Sequence, residues 1–302
     1  MKEFDTNEIL GGEQDDMRDY IRQLVEELRK DDLVYEQLKP LKLTMKEVRE
    51  NIAKLNDFRE DFHYCYKCPG LENCNKRTPH IQMHVERDGA YIKTEYGPCT
   101  KIIEKIRHDS YYVVHDFPSE WKYTQLKDMD MTETRRPVIK EFANILHGKS
   151  NRWIFLTGNH KVGKSHLLVA MINEYIAIKN SKVAVLNAVE RIKQLADLSV
   201  KNNEVFTNEI ELLSEVPLLV LDGFGEEYKS EYIRDSIILP ILSERERNNR
   251  LTFFASSFTI DEIQKLYSVG KTSGEIRGKQ LGNILREMCD EEFDVSGTSY
   301  RK

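Results

Sequence analysis

The stretch GNHKVGKS at residues 158–165 decides the fold of the larger part of this chain. It fits the pattern G-x-x-x-x-G-K-[ST], in which the glycines let backbone N–H groups curl around phosphate oxygens. An apolar strand pattern over 151–157 precedes it, and a helical pattern over 164–180 follows it. The N-terminus of that helix adds the positive potential that a phosphate needs. The stretch therefore predicts a nucleotide-binding phosphate loop.

Each residue of this loop is a candidate for contacting a nucleotide. Lys164 is placed to reach the β- and γ-phosphates, and the Ser165 hydroxyl is placed to coordinate Mg²⁺. The cofactors predicted from the loop are therefore ATP and Mg²⁺. The candidate binding residues are Gly158, Asn159, His160, Lys161, Val162, Gly163, Lys164, Ser165 and His166.

Two further apolar runs end in polar residues. The run LLVLD at residues 218–222 ends in Asp222, which we expect at a strand end beside the phosphate loop, where a carboxylate holds the metal. The run TFFASS at residues 252–257 ends in Ser257, a candidate contact for the γ-phosphate or the attacking water. Both runs extend the predicted site to neighbouring strands.

From residue 151 onward, short and continuously apolar strands alternate with helical stretches. This alternation is typical of a parallel sheet with helices on both faces. We therefore predict an α/β P-loop ATPase domain over 151–302, with a linker and lead-in helix over 109–150. Residues 1–108 form a separate domain in this prediction, because charged amphipathic helices there lead into a cysteine cluster.

The cysteine cluster predicts a metal site. Thiolates in a C-x₂-C pair are typical zinc ligands, and four protein ligands complete a structural tetrahedron. A small helical zinc-binding domain is therefore expected, with Zn²⁺ held by Cys65, Cys68, Cys74 and Cys99. The fourth ligand stays open, because His84 or His80 could take the place of Cys74.

The composition describes an ordinary globular chain. Apolar residues make up 40% and charged residues 32%, and the net charge is −6. This charge excludes a uniformly basic surface but leaves room for a local basic groove. No apolar stretch approaches about 18 residues, and the acidic start has no signal-peptide core. We therefore expect no membrane contact and a cytoplasmic location.

Taken together, these motifs resemble the bacterial helicase-loader ATPases of the primosome, which are related to the IstB-type transposition ATPases. The cysteine cluster extends the resemblance into the N-terminal half, since the transposition ATPases lack it. The segments that carry the resemblance in the second half are GNHKVGKSHLLVAMINEY (158–175), VPLLVLDGFGEE (216–227), YIRDSIILPIL (232–242) and LTFFASSF (251–258).

The resemblance implies an AAA+ fold with ATP bound between subunits that associate on a helicase. It implies an N-terminal domain that grips the hexameric replicative helicase, contact with single-stranded DNA, and other primosome proteins as further partners. By position, Asp222 is the metal-side acid and Ser257 the polar sensor. Arg286 lies by position near the arginine that acts on a neighbour's nucleotide, and from the residues alone Arg277 on the same helical stretch is an alternative. The function expected is ATP-dependent helicase loading during replication initiation or restart.

One position departs from the family pattern. Family members usually carry a second acid after the metal-side aspartate, whereas this chain has Gly223. Glu227, or Glu226 beside it, could replace that acid if the loop folds back. Losing a water-positioning group costs several kcal/mol of transition-state stabilisation and leaves binding intact. We therefore expect weak ATP hydrolysis.

Two other functions stay open on the sequence alone. One is a transposition or DNA-repair ATPase of the IstB type. The other is a nucleotide-binding adaptor that has lost hydrolysis entirely. The N-terminal cysteine cluster argues against the first, and a measured turnover would decide the second.

Overall fold

Two units, Met1–Arg107 and His108–Lys302, make up the fold in the computed structural model. The structure describes residues 6–89, 91–270 and 273–297, and in residues 6–16 it describes the backbone only. No helix in these described ranges is long and apolar enough to cross a membrane. Each unit has its own apolar core.

The first unit packs helices against a two-stranded hairpin. In the first helix Val25 and Leu28 are buried, whereas Met17 is exposed. A capping box between Thr44 and Glu47 begins the third helix. Its elements are α1 (Thr6–Lys30), α2 (Asp32–Leu38), α3 (Met45–Glu50), α4 (Ile52–Tyr66), β1 (Ile81–Asp88), β2 (Tyr91–Pro98) and α5 (Thr100–Asp109), whose last turn crosses the boundary.

The second unit contains the predicted parallel sheet, which is confirmed. Its six strands are all parallel and lie in the order β3-β5-β6-β7-β4-β8. The strands are β3 (Tyr112–His115), β4 (Ile154–Thr157), β5 (Val183–Asn187), β6 (Leu218–Asp222), β7 (Leu251–Ala255) and β8 (Glu292–Asp294).

Helices cover both faces of this sheet. Along β5, Val183 and Val185 join one apolar core while Ala184 and Leu186 join the other. Alternate side chains of a strand point to opposite faces, so both faces are buried. The helices are α6 (Arg136–Leu146), α7 (Lys164–Lys179), α8 (Ala188–Lys201), α9 (Asn203–Glu215), α10 (Glu231–Ile233), α11 (Leu239–Arg247), α12 (Ile260–Leu266) and α13 (Gly274–Met288).

The helical run over residues 231–247 changes its hydrogen bonding just before Pro240. A π-helical segment, Arg234–Ile238, joins α10 to α11, and Pro240 lies in the first turn of α11.

The prediction of a linker over 109–150 is corrected by the structure, although its lead-in helix is present as α6. The segment belongs to the second unit and supplies the edge strand β3, which pairs with β5. Asn173 on α7 donates to the carbonyls of Trp121 (3.0 Å) and Thr124 (2.8 Å), which fastens the segment to the core. The sequence obscured this because its apolar residues are dispersed among polar ones.

Arg245 on α11 is a fully buried cation that joins three elements. Its guanidinium donates to the carbonyls of Leu213 (2.9 Å) and Val216 (2.7 Å) at the end of α9. It also donates to the Thr252 hydroxyl on β7 at 2.8 Å. The last carbonyls of a helix have no partner within the helix, so Arg245 satisfies groups that are otherwise buried unpaired.

We predict that Arg245→Met lowers the free energy of unfolding of the second unit by about 3 kcal/mol, because it leaves these buried acceptors unpaired. Arg247→Met is the matched control on the same helix, since that side chain is exposed and pairs only with Glu244. It should cost less than about 0.5 kcal/mol. Both tryptophans lie in the second unit, so denaturant titration followed by tryptophan fluorescence measures its stability. Equal effects of the two substitutions would contradict this account.

Candidate nucleotide-binding site

A cavity of about 930 Å³ lies beside the phosphate loop of the second unit. The carboxyl ends of parallel strands meet at one edge of the sheet, which is where such folds bind ligands. Here β4 leads into the phosphate loop, β5 ends in Asn187 and β6 ends in Asp222. Residues from all three ends line the cavity.

The phosphate loop depends on backbone conformations that suit glycine. Gly158 has φ +142° and Gly163 has φ +88°, which L side chains adopt only with strain. A Cβ at Gly158 would also lie 3.2 Å from the backbone nitrogen of Ser296. The two glycines of the motif are therefore required by the shape of the loop.

Lys164 is buried within the loop that it belongs to. Its Nζ donates to the carbonyls of Gly158 (2.6 Å) and Asn159 (2.9 Å). Burial lowers the pKa of this ammonium, while the carboxylates of Glu226 and Asp222 act in the opposite direction. The loop thus holds a cation where phosphate oxygens would arrive.

Ser165 and Asp222 meet as the sequence predicted. The Ser165 hydroxyl donates to Oδ1 of Asp222 at 2.9 Å. Burial raises the pKa of Asp222, opposed by the Ser165 hydrogen bond and the charge of Lys164. A hydroxyl beside a carboxylate is the kind of oxygen pair that binds Mg²⁺.

The other side chains of the phosphate loop either line the cavity or pack into the core. His160, Lys161 and His166 line the cavity, whereas Val162 is buried in the apolar core. The ring of His166 lies 5.1 Å from that of Trp121. The loop therefore presents polar side chains to the cavity and anchors itself through one apolar residue.

The structure separates the two glutamates that follow β6. Glu226 lines the cavity, and the Ser257 hydroxyl donates to its Oε1 at 2.7 Å. Glu227 is buried, accepts from the Gly225 backbone N–H at 2.9 Å, and also accepts from the Tyr267 hydroxyl. Burial raises the pKa of Glu227. Glu227, a sequence candidate for the missing acid, therefore points into the core and away from the cavity.

Arg286 lies outside the cavity of its own chain. Its guanidinium donates to Oδ1 of Asp261 (2.7 Å) and Oε1 of Gln264 (2.6 Å), both on α12. The structure does not bring it together with Lys164 or Asp222.

Sequence reasoning missed the residues that the segment before α6 adds to the cavity. Trp121, Met129 and Arg135 line it. Arg135 is buried and donates to the carbonyl of Val162 at 3.0 Å, which ties this segment to the phosphate loop. An isolated tryptophan and an arginine before a proline were the only signals, and neither is specific.

In the first unit, the four clustered cysteines and His80 line one small cavity of about 40 Å³. All four are free thiols, and no three Cys, His, Asp or Glu side chains in the described ranges are grouped to hold a metal ion. His84 is absent from the lining residues, and its imidazole lies 3.4 Å from the Pro98 carbonyl oxygen. The residues fit zinc by kind and by their shared cavity, but their side chains do not converge as a ligand set.

The chain was compared with known proteins by sequence and by fold. No protein-family model matches the chain. The chain is 23% identical over 281 residues to the replicative helicase loader DnaI of Bacillus subtilis, with 88% of each chain covered.

Two crystal structures resemble the fold of part of the chain. A structure described as a candidate primosome component from Streptococcus pyogenes serotype M3 has a TM-score of 0.52 at 22% identity. A structure of DnaI has a TM-score of 0.51 at 24% identity. Each solved chain is covered completely and corresponds to 66% and 65% of this chain, respectively. By sequence the chain is similar to the DnaI helicase loader over most of its length, and the fold of its larger part is similar to that of the solved DnaI chain.

Proposed function

We propose that this protein loads a replicative DNA helicase onto single-stranded DNA under the control of bound ATP. The observation that carries the proposal is the extent of the match to the DnaI loader, which covers 88% of this chain. The second unit makes up less than two thirds of the chain, so the match extends into the first unit. An IstB-type ATPase would share only the second unit. The proposal places the protein in the cytoplasm, where a bacterial helicase acts.

The cavity of the second unit supports ATP as the bound nucleotide. The loop backbone and Lys164 would hold the phosphates, and Ser165 with Asp222 would hold Mg²⁺. Trp121 and Met129 offer apolar surface for the base. Arg286 would complete the site of a neighbouring copy when several copies stand side by side on a hexameric helicase.

The first unit is the proposed helicase-binding part. It exposes several large aromatic side chains, and aromatic residues are enriched at protein interfaces. The most exposed are Tyr20, Tyr35, Tyr66, Tyr91 and Tyr96, at 54–78%. If several copies bind one helicase through their first units, short linkers would raise the local concentration of their ATPase units to the millimolar range.

We include a structural zinc ion in the proposal. Support comes from the cysteine-lined cavity, because Cys65, Cys68, Cys74 and Cys99 supply the soft donors that zinc takes, with His80 beside them. When bound, zinc would cross-link the end of α4, the following loop and the end of the hairpin. It would contribute folding free energy and no chemistry, since every ligand comes from protein.

The first prediction concerns Lys164. Lys164→Ala should weaken ATP binding at least about tenfold, because it removes a charge-assisted contact to phosphate. Lys179→Ala, at the exposed far end of the same helix, is the control and should leave the affinity unchanged. Isothermal titration calorimetry measures both. Equal affinity of wild type and Lys164→Ala would refute the phosphate-loop assignment.

The second prediction concerns zinc. Metal analysis of the purified protein should find about one zinc per chain. Cys65→Ser should lose it and lower the helical content of the first unit, because metal binding and folding are coupled in small sites. Of Cys74→Ser and His80→Ala, only one should release the metal, and His84→Ala should retain it. A metal-free wild-type protein, or full zinc in Cys65→Ser, would remove zinc from the proposal.

The third prediction tests loading itself. The full-length protein should capture the hexameric helicase encoded in the same genome. With ATP it should stimulate that helicase on forked DNA coated with single-strand binding protein. Arg286→Ala should keep ATP and helicase binding but lose most of the stimulation, whereas Lys279→Ala on the same exposed helix face should behave as wild type.

The loader proposal fails if the protein neither captures the helicase nor stimulates unwinding. ATP binding that persists in such a protein would favour the adaptor function. Wild-type stimulation by Arg286→Ala would instead remove only the role of that arginine.

A further inference from the structure

We infer that Glu226 supplies the carboxylate that positions the attacking water in ATP hydrolysis, in place of the side chain that Gly223 lacks. This inference rests on the proposed function, because it concerns the same nucleotide cavity. It differs from the expectation of weak hydrolysis, because it gives the site a complete set of reacting groups.

The loop after β6 has a fixed backbone. A tight turn runs from Gly223 to Glu226 and is closed by the Glu226 N–H donating to the Gly223 carbonyl at 3.0 Å. Gly225 has φ +88°, and a Cβ there would lie 2.2 Å from Cδ1 of Ile263. Only glycine fits at that position, so the turn is set by packing against α12.

Neighbouring residues hold the turn from the core side. Phe224 is fully buried, and its carbonyl accepts from the Ser256 hydroxyl at 2.7 Å. Glu227 accepts from the Gly225 N–H within the core. With these residues directed inward, the turn presents Glu226 to the cavity.

The Glu226 carboxylate lies next to the place of the missing acid. A Cβ built at Gly223 would lie 3.7 Å from Oε2 of Glu226. The carboxylate beside position 223 therefore belongs to a residue three positions later in the chain. Glu226 can replace the missing acid only if the loop folds back on itself, and this turn provides that fold.

Two polar side chains lie against the Glu226 carboxylate, beside the phosphate loop. The Ser257 hydroxyl donates to its Oε1 at 2.7 Å, and Nδ1 of His160 lies 3.9 Å from the same oxygen. His160 belongs to the phosphate loop and Ser257 follows β7. Glu226 also acts electrostatically on Lys164 and Asp222, which places its charge within reach of both.

The other acids that line the cavity are less suited to position the attacking water. Asp222 is engaged by Ser165 on the metal side. Asp128 and Asp130 are exposed and come from the segment before α6, and Glu190 is exposed in the first turn of α8. Among these acids, Glu226 accepts the hydrogen bond from Ser257, two residues after the end of β7.

In the proposed step, the oxygen of one water bonds to the γ-phosphorus. The bond from that phosphorus to the β,γ-bridging oxygen breaks, and its electron pair stays on the ADP formed. One proton of the water passes through the Glu226 carboxylate to solvent, and the other stays on the phosphate product. Positioned bases of this kind contribute about 10²–10⁴-fold to a rate.

Single-turnover hydrolysis of ATP by the full-length protein, with Mg²⁺, tests the inference. Glu226→Gln keeps the size of the side chain and its bond to Ser257 but removes the charge. It should slow turnover about 100-fold while the Kd for ATP stays within about twofold. Glu211→Gln, an exposed glutamate on α9 that does not line the cavity, is the matched control and should hydrolyse at the wild-type rate. Thermal melting should show both variants as stable as wild type, since the Glu226 side chain is partly exposed.

Each outcome decides between the two claims. Wild-type turnover by Glu226→Gln, or ATP binding by the wild-type protein without any turnover, would overturn the inference and leave ATP binding standing. No ATP binding by the wild-type protein would overturn the proposed function, and the inference with it. An equal loss in Glu226→Gln and Glu211→Gln would show that the effect comes from the loss of any surface carboxylate, and it would also overturn the inference.

Discussion

The parallel pairing of β4, β7 and β6 is the constraint on which the site depends. Leu156 on β4 and Asp222 on β6 both pair with Ala255 on the central strand β7, so the three strands end at one level. Residues separated by about 60 to 100 positions in the chain then share one cavity. The Ser165–Asp222 hydrogen bond exists because of this register, and a shift by one residue would turn Asp222 to the opposite face.

The loop after β6 places a carboxylate beside the phosphate loop although its motif has changed. Gly223 removes a side chain but has φ +74°, and Gly225 permits the close approach to Ile263 that closes the turn. A direct aspartate at 223 would be strained in this backbone. The glycines and Glu226 therefore belong together as one local solution, and restoring the usual acid would not by itself restore the usual geometry.

The sequence predicted the features that have a strong local signal and missed those that depend on packing. The phosphate loop, Asp222 and the parallel sheet follow from motif spacing and from short, fully apolar strands. The edge strand β3 was missed because it is four residues long and sits in a polar segment. The sequence could not predict which of the neighbouring glutamates, Glu226 or Glu227, faces the cavity. Packing of Phe224 and Tyr267 decides which one is buried. The thiol cluster was predicted as a zinc tetrahedron from spacing alone, and spacing does not fix how side chains converge.

The cavity beside the phosphate loop is proposed to bind ATP as the magnesium complex. Calorimetric titration of the wild-type protein with ATP, in Mg²⁺ and then in excess EDTA, tests this claim most directly. The account predicts saturable binding that weakens at least about tenfold without the metal, because Ser165 and Asp222 then lose the ion that links them to phosphate. Equal affinity in Mg²⁺ and EDTA, or no binding in either, would contradict it.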